Sequence, residues 1–154
     1  MNVLTRTLKP DWDEANKPVS NIAGDEFEQY VRAVLFPRES YDLLLKTNNF
    51  RNNKDDYSLS IKLPDFKYVS KKDGIEFYIE EKFRARFQDQ ILEWNKFFEL
   101  KRYQDINTVT PVIIAIGLGG RPSAPERVFL VPARHLKFVK QYPSMMRKYE
   151  LSPG

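Results

Sequence analysis

Residues 64–84 read Pro-Asp-Phe-Lys-Tyr-Val-Ser-Lys-Lys-Asp-Gly-Ile-Glu-Phe-Tyr-Ile-Glu-Glu-Lys-Phe-Arg, two alternating segments on either side of Asp73-Gly74. Asp-Gly between alternating apolar and polar residues is a strong short-range signal for a β-hairpin. If Asp73-Gly74 alone makes the turn, Asp65 lies across from Lys82 and Lys67 across from Glu80. If the turn is Lys71 to Gly74, Asp65 lies directly across from Glu80. Both registers have the same parity, so either way Asp65, Glu80 and Lys82 share one face. The other face holds Phe66, Tyr68, Phe77, Ile79 and Phe83, a credible core surface. Opposed side chains in such a pair are about 5 Å apart at Cβ and diagonal ones about 7–8 Å. Two carboxylates can therefore converge on one cation with an ammonium beside them.

Working upstream, Phe27, Tyr30, Val31, Val34 and Leu35 recur at spacings of three and four behind Ser20, read as an N-cap. They predict an amphipathic helix that Pro37 ends. Tyr41 to Thr47 is short and apolar enough for a strand, and residues 48–56, with four asparagines, read as a surface loop. Downstream, Ile91, Trp94, Phe97, Phe98, Leu100 and Tyr103 predict a helix starting soon after Arg86. Pro111 to Gly117 is apolar without alternation, as in a strand buried on both faces. Gly117 to Glu126 reads as a Gly- and Pro-rich loop, followed by a short strand, Val128 to Val131. The order αβββαββ points to an α/β (α+β) domain, a central mixed β-sheet flanked by helices. Residues 1–19 are read as an irregular arm, 20–139 as a single domain, and 140–154 as a basic C-terminal tail expected to be mobile.

Composition narrows the chemistry. The 154 residues include no cysteine and one histidine, His135, which excludes disulfides, thiolate sites, a cysteine nucleophile and multi-histidine zinc. No apolar run reaches membrane-spanning length, and Met1 to Asp11 lacks the apolar stretch of a secretory signal, so a cytoplasmic location is expected. With 25 Lys+Arg against 21 Asp+Glu, the net charge of +4 is a weak pointer to polyanionic partners. Magnesium takes oxygen ligands and keeps several waters, so two carboxylates suffice to hold it, with Mn²⁺ as a substitute. Asp65 and Glu80 could hold such an ion for phosphodiester hydrolysis, with Lys82 orienting water or stabilising charge on the phosphate.

These residues carry a resemblance. Pro64-Asp65 followed by Glu80-Glu81-Lys82 on the next strand resembles the PD-(D/E)XK nuclease superfamily, the restriction-endonuclease-like fold. Gly24-Asp25-Glu26-Phe27-Glu28 is similar to the Gly-x-x-Phe-Glu helix start of its Mrr-like and Holliday-junction-resolvase-like branches. The resemblance spans residues 20–132. It implies a Mg²⁺-dependent endonuclease acting on DNA, with Asp65 and Glu80 as metal ligands and Lys82 as the catalytic lysine. Glu28 would be an additional acid that reaches the metal through water. On the second helix such proteins often carry Gln or Lys near the site; Glu99-Leu100-Lys101-Arg102-Tyr103 occupies that region, with Lys101 as the match. A homodimer or a separate recognition subunit follows from the family's habits. Glu81 departs from the pattern, which has an apolar residue there, and is expected to emerge at the strand end or to pair with an arginine.

Other signals have plainer readings. Arg84, Arg86, Lys101 and Arg102 could contact nucleic-acid phosphates or form a solvated basic edge. Lys137, Lys140, Arg147 and Lys148 beside Phe138, Tyr142 and Tyr149 could stack bases, though a solvated tail is favoured. Gly117-Leu118-Gly119-Gly120-Arg121 matches neither a Walker loop nor a dinucleotide fingerprint. The rivals to a nuclease are a catalytically inactive nucleic-acid-binding module of the same fold and a protein-interaction domain that uses the charged hairpin face.

Overall fold

The computed structural model describes residues 19–47, 63–86, 92–93, 97–136 and 140–152. The expected N-terminal arm, the asparagine-rich loop, Ile91, Trp94, Lys137 and Phe138 lie outside the described residues. Helix α1 (Val19–Tyr30) continues into a π-helical turn, Val31–Leu35, closed before Pro37 by the Phe36 amide donating to the Val31 carbonyl at 2.9 Å. Ser20 lies inside this helix, not ahead of it. Strands β1 (Tyr41–Lys46), β2 (Phe66–Ser70), β3 (Glu76–Arg84), β5 (Val112–Arg121) and β6 (Ala124–Pro132) form one sheet in the order β1-β2-β3-β5-β6. The β3/β5 pair is parallel and the others antiparallel. Helix α2 (Phe97–Asn107) lies between β3 and β5 in the chain, the long crossover that a parallel pair requires.

The hairpin adopts the longer-turn register, with Phe66 opposite Ile79 and Tyr68 opposite Phe77. The turn explains the choice. Ser70 donates to the Ile75 carbonyl at 2.9 Å, Gly74 donates to the Ser70 carbonyl at 2.8 Å, and the Asp73 carboxylate accepts the Ile75 amide at 3.1 Å. Gly74 sits at φ 72°, where a side chain would be strained. Lys67 accordingly pairs with Glu76, at 3.1 Å, and not with Glu80.

Alternation along β3 and β5 separates two cores. On one side Phe27 and Val31 of α1 pack with Phe36, Phe66, Tyr68, Phe77, Ile79 and Ala115. On the other, Leu100 and Tyr103 of α2 pack with Val112, Ile114, Ile116, Leu118, Phe129 and Val131. Strand β5 is thus buried on both faces, as its unbroken apolar run predicts. Each large apolar side chain so enclosed stabilises the fold by about 1.5–3 kcal/mol before entropy is counted.

Three expectations are corrected. Helix α2 begins at Phe97, well after Arg86, because Leu92–Glu93 (β4) pair with Lys140–Gln141 (β7), a partner invisible to local periodicity. The presumed loop Gly117–Glu126 is mostly strand: β5 and β6 run to Arg121 and Ala124 around a two-residue turn, with Gly119 and Gly120 at φ 75° and 69°. The basic tail is anchored as far as Leu151, whose amide donates to the Val128 carbonyl at 2.8 Å. Helix α3 (Pro143–Met146) buries Met146 in the α2-side core, Glu150 bridges to Phe129, and Arg127 grips the Glu150 carboxylate with two hydrogen bonds of 2.9 Å. No helix among the described residues is long and apolar enough to cross a membrane.

Candidate active site

Asp65 stands one residue before the β2 ladder, facing Glu80. It is fixed there from just past the end of β1, where Thr47 donates its amide to the Asp65 carbonyl at 2.9 Å and its hydroxyl lies 3.2 Å from the same oxygen. Two crossed hydrogen bonds then join the strands: the Asp65 amide donates to Glu80 Oε1 at 3.2 Å, and the Glu81 amide donates to Asp65 Oδ2 at 2.9 Å. Lys82 places Nζ 3.5 Å from Glu80 Oε2. The structure therefore brings together the three residues that parity placed on one face.

Burial sets the electrostatics. Glu80 is only 5% exposed, and desolvation, followed by the charge of Asp65, pushes its carboxyl well above the usual range, with Lys82 opposing. Desolvation likewise raises Asp65, against the Glu81 amide and Lys82. Glu81, on the α1 side of the sheet, is raised to about 9 by burial and then by Asp65, Glu28 and Glu80. Among the described residues no arginine pairs with it.

The remaining residues are dispersed. Glu28 reaches toward the acids but is held by Lys46 at 2.8 Å and by Arg32 at 3.6 Å. Arg84 ends β3 and donates to the Phe83 carbonyl at 3.0 Å, while Arg86 is exposed just beyond. Lys101 projects outward, its side chain 62% exposed and 3.3 Å from Asp105; Arg102 is half-buried beside it. From α2 it is Tyr103, 4% exposed, whose buried phenol comes under the influence of the Glu80 and Asp65 carboxyl groups. Burial and the neighbouring carboxylates push that phenol up. Neither Tyr103 nor Lys46 follows from the motif. Tyr103 did lie on the predicted apolar stripe of α2, where a buried hydroxyl needs a partner.

Two facing carboxyl groups offer oxygen donors of the kind a hard divalent cation takes. Among the described residues no group of three or more His, Cys, Asp or Glu side chains is placed to hold a metal ion. The facing pair is what the site offers.

No family model and no curated protein matches the chain. Its structure is similar to Hjc, a Holliday junction resolvase from the archaeal hyperthermophile Archaeoglobus fulgidus, with a TM-score of 0.56 and 16% identity, over 83% of this chain and 89% of that one. The architecture is thus the restriction-endonuclease-like fold, as the hairpin, the order of elements and the mixed sheet also say.

Proposed function

We propose that this protein binds DNA along the Asp65–Glu80–Lys82 face and hydrolyses its phosphodiester bonds with one divalent cation, Mg²⁺ or Mn²⁺, held by Asp65 and Glu80. The observation that carries this reading is the crossed pairing of the two acids, which holds them opposite each other with an ammonium 3.5 Å from Glu80. A cation held there supplies Lewis-acid polarisation of the scissile phosphate. Lys82 is placed to meet negative charge growing on the phosphoryl oxygens. The thiol- and histidine-poor composition fits a route that needs neither group. Arg84, Arg86, Lys101 and Arg102, with Lys46 and Arg32, would neutralise backbone phosphates. Glu28 orients the last two.

A second reading, a nucleic-acid-binding module of the same fold without turnover, is favoured by the acid count. No larger acidic cluster stands behind the pair among the described residues, and Glu28 is occupied by two cations. Plasmid, single-stranded and four-way-junction DNA incubated with Mg²⁺ or Mn²⁺, then with EDTA, separates the two. Under the first reading, cleavage is EDTA-sensitive and falls at least about 100-fold in Glu80→Gln and Lys82→Met, while circular dichroism is unchanged. Salt-dependent binding with no cleavage selects the second reading, and cleavage undiminished in both variants refutes the first.

A further inference from the structure

A cavity of about 400 Å³ opens between the π-helical turn and β1. Its lining is aromatic inside and charged at the rim. Tyr41 is half-buried, and the enclosed rings of Phe36 and Tyr68 meet it edge-on, with centroids 5.2 and 6.4 Å away. At the rim stand two exposed guanidinium groups, Arg32 and Arg38, against one carboxylate, that of Glu39. Backbone bonds hold the wall in shape. The Ser40 and Tyr41 amides donate to the Pro37 carbonyl at 2.9 and 3.0 Å. From the hairpin turn, Lys71 donates its amide to the Ser40 carbonyl at 3.0 Å and its ammonium to the Arg38 carbonyl at 2.6 Å. A braced ring takes the π-face of a base, and guanidinium groups take phosphate oxygens. A nucleotide offers both.

We propose that this cavity takes an unpaired nucleotide of a DNA strand, its base stacked on Tyr41 and its phosphate met by Arg32 and Arg38. The inference rests on the DNA-binding reading above and narrows its substrate to DNA with unpaired nucleotides near the acids. Placement supports the link. Arg32 is shared between the rim and the ion pairs beside the site, 3.6 Å from Glu28, which Lys46 holds at 2.8 Å. Lys46 lies opposite Phe66, the neighbour of Asp65. Tyr68 stands three residues beyond Asp65, about 10 Å of extended chain. A base stacked in a duplex cannot enter a cavity of this depth, whereas an unpaired one has its π-face to give. Because the ring and the wall are already fixed, little freedom is lost on binding.

The test measures binding of the whole chain to labelled oligothymidylate and to a fully paired duplex by fluorescence anisotropy, with Ca²⁺ in place of Mg²⁺. The parent should bind the single strand more tightly. Tyr41→Leu keeps apolar bulk and removes the stacking ring, so its Kd for the single strand should rise about fivefold or more, with duplex binding unchanged. Ala33→Leu, an exposed position at the mouth of the cavity, fills the space without touching the core and should act alike; it decides the matter if Tyr41→Leu does not fold. With 5-iododeoxyuridine in the oligonucleotide, irradiation should cross-link the strand to Tyr41, located by peptide mass spectrometry. Single-strand affinity undiminished in the folded variants, or a cross-link that maps elsewhere, overturns the inference and leaves DNA binding standing. A parent that binds neither DNA overturns both. Thymidine monophosphate that blocks the cross-link as effectively as unlabelled oligothymidylate overturns the strand as occupant and assigns the cavity to a free nucleotide.

Discussion

Replacing Gly117 by alanine tests how α1 is seated on the sheet. A Cβ at this position in β5 would lie 2.5 Å from Phe27 Cε1, 3.0 Å from Phe27 Cζ and 3.1 Å from Phe83 Cδ1. Phe27 is fully buried and ringed by Tyr30 and Phe83, so it cannot swing into solvent. The backbone at 117 suits an L-residue, and the penalty is therefore one of contact. Overpacking of a well-filled core costs about 1–3 kcal/mol, offset by about 0.5–1 kcal/mol for reduced freedom of the unfolded chain. Gly117→Ala should thus lose about 0.5–2 kcal/mol in urea unfolding followed by circular dichroism. At about 2–4 °C per kcal/mol for a domain of this size, the midpoint should fall by roughly 1–8 °C. Phe27→Leu makes room for the methyl group, so the double variant should be less destabilised than the two single losses added, by about 1 kcal/mol. Since Phe27 precedes Glu28, the crowding should also loosen the Glu28–Lys46 pair. A Gly117→Ala protein as stable as the parent, or losses that simply add, would refute this account of the packing.

Two further outcomes are expected. Arg127 holds the Glu150 carboxyl below its ordinary 4.5 through hydrogen bonding, so the pair stabilises the fold above that pH and the gain disappears as pH falls through the lowered value. Glu150→Gln should be about 0.5–1 kcal/mol less stable than the parent at pH 7 and equal to it in strong acid; a gap that persists in acid denies the linkage. Asn107 Oδ1 accepts the amide of Val112, a fully buried residue, at 2.7 Å. Asn107→Ala leaves that amide unpaired and should cost about 1–3 kcal/mol, measured by chemical denaturation, with a change under about 0.5 kcal/mol counting against it.

The parts of this fold that were legible in the sequence are those settled by near neighbours. Alternation around Asp73-Gly74 was enough to put Asp65, Glu80 and Lys82 on one face, because parity does not depend on turn length. The register did depend on it, and was decided by backbone bonds from Ser70 and to Ile75 that no residue type announces. The start of α2 was hidden for a different reason: Leu92–Glu93 take their pairing from Lys140–Gln141, nearly fifty positions away. Gly119 and Gly120 look like loop residues, yet they serve a hairpin in which the chain passes so close that a Cβ at 120 would sit 2.9 Å from the Ala124 carbonyl oxygen. Within the site, chain position alone pointed to Lys101 as the contribution of α2. The helix turns by about 100° per residue, and burial of Leu100 brings Tyr103 beneath it to the same side while Lys101 faces outward. Lys46 was unreadable, since its contact with Glu28 joins the far end of β1 to the last turn of α1.

The crossed amide–carboxylate bonds at the mouth of the hairpin give Asp65 and Glu80 two duties, since each acid also fastens the opposite strand one step past the last ladder pair. A nucleic-acid-binding module without turnover would need both as much as a nuclease would, because discarding either frays the sheet where β1 leans on it. Alanine scanning would blur the same distinction, and the carboxamide replacements Asp65→Asn and Glu80→Gln, which can still accept the amides, are the cleaner probes. Lys82 stands outside this clasp. Its ammonium, 3.5 Å from Glu80 Oε2, is a charge partner of the buried acid and not a link between the strands.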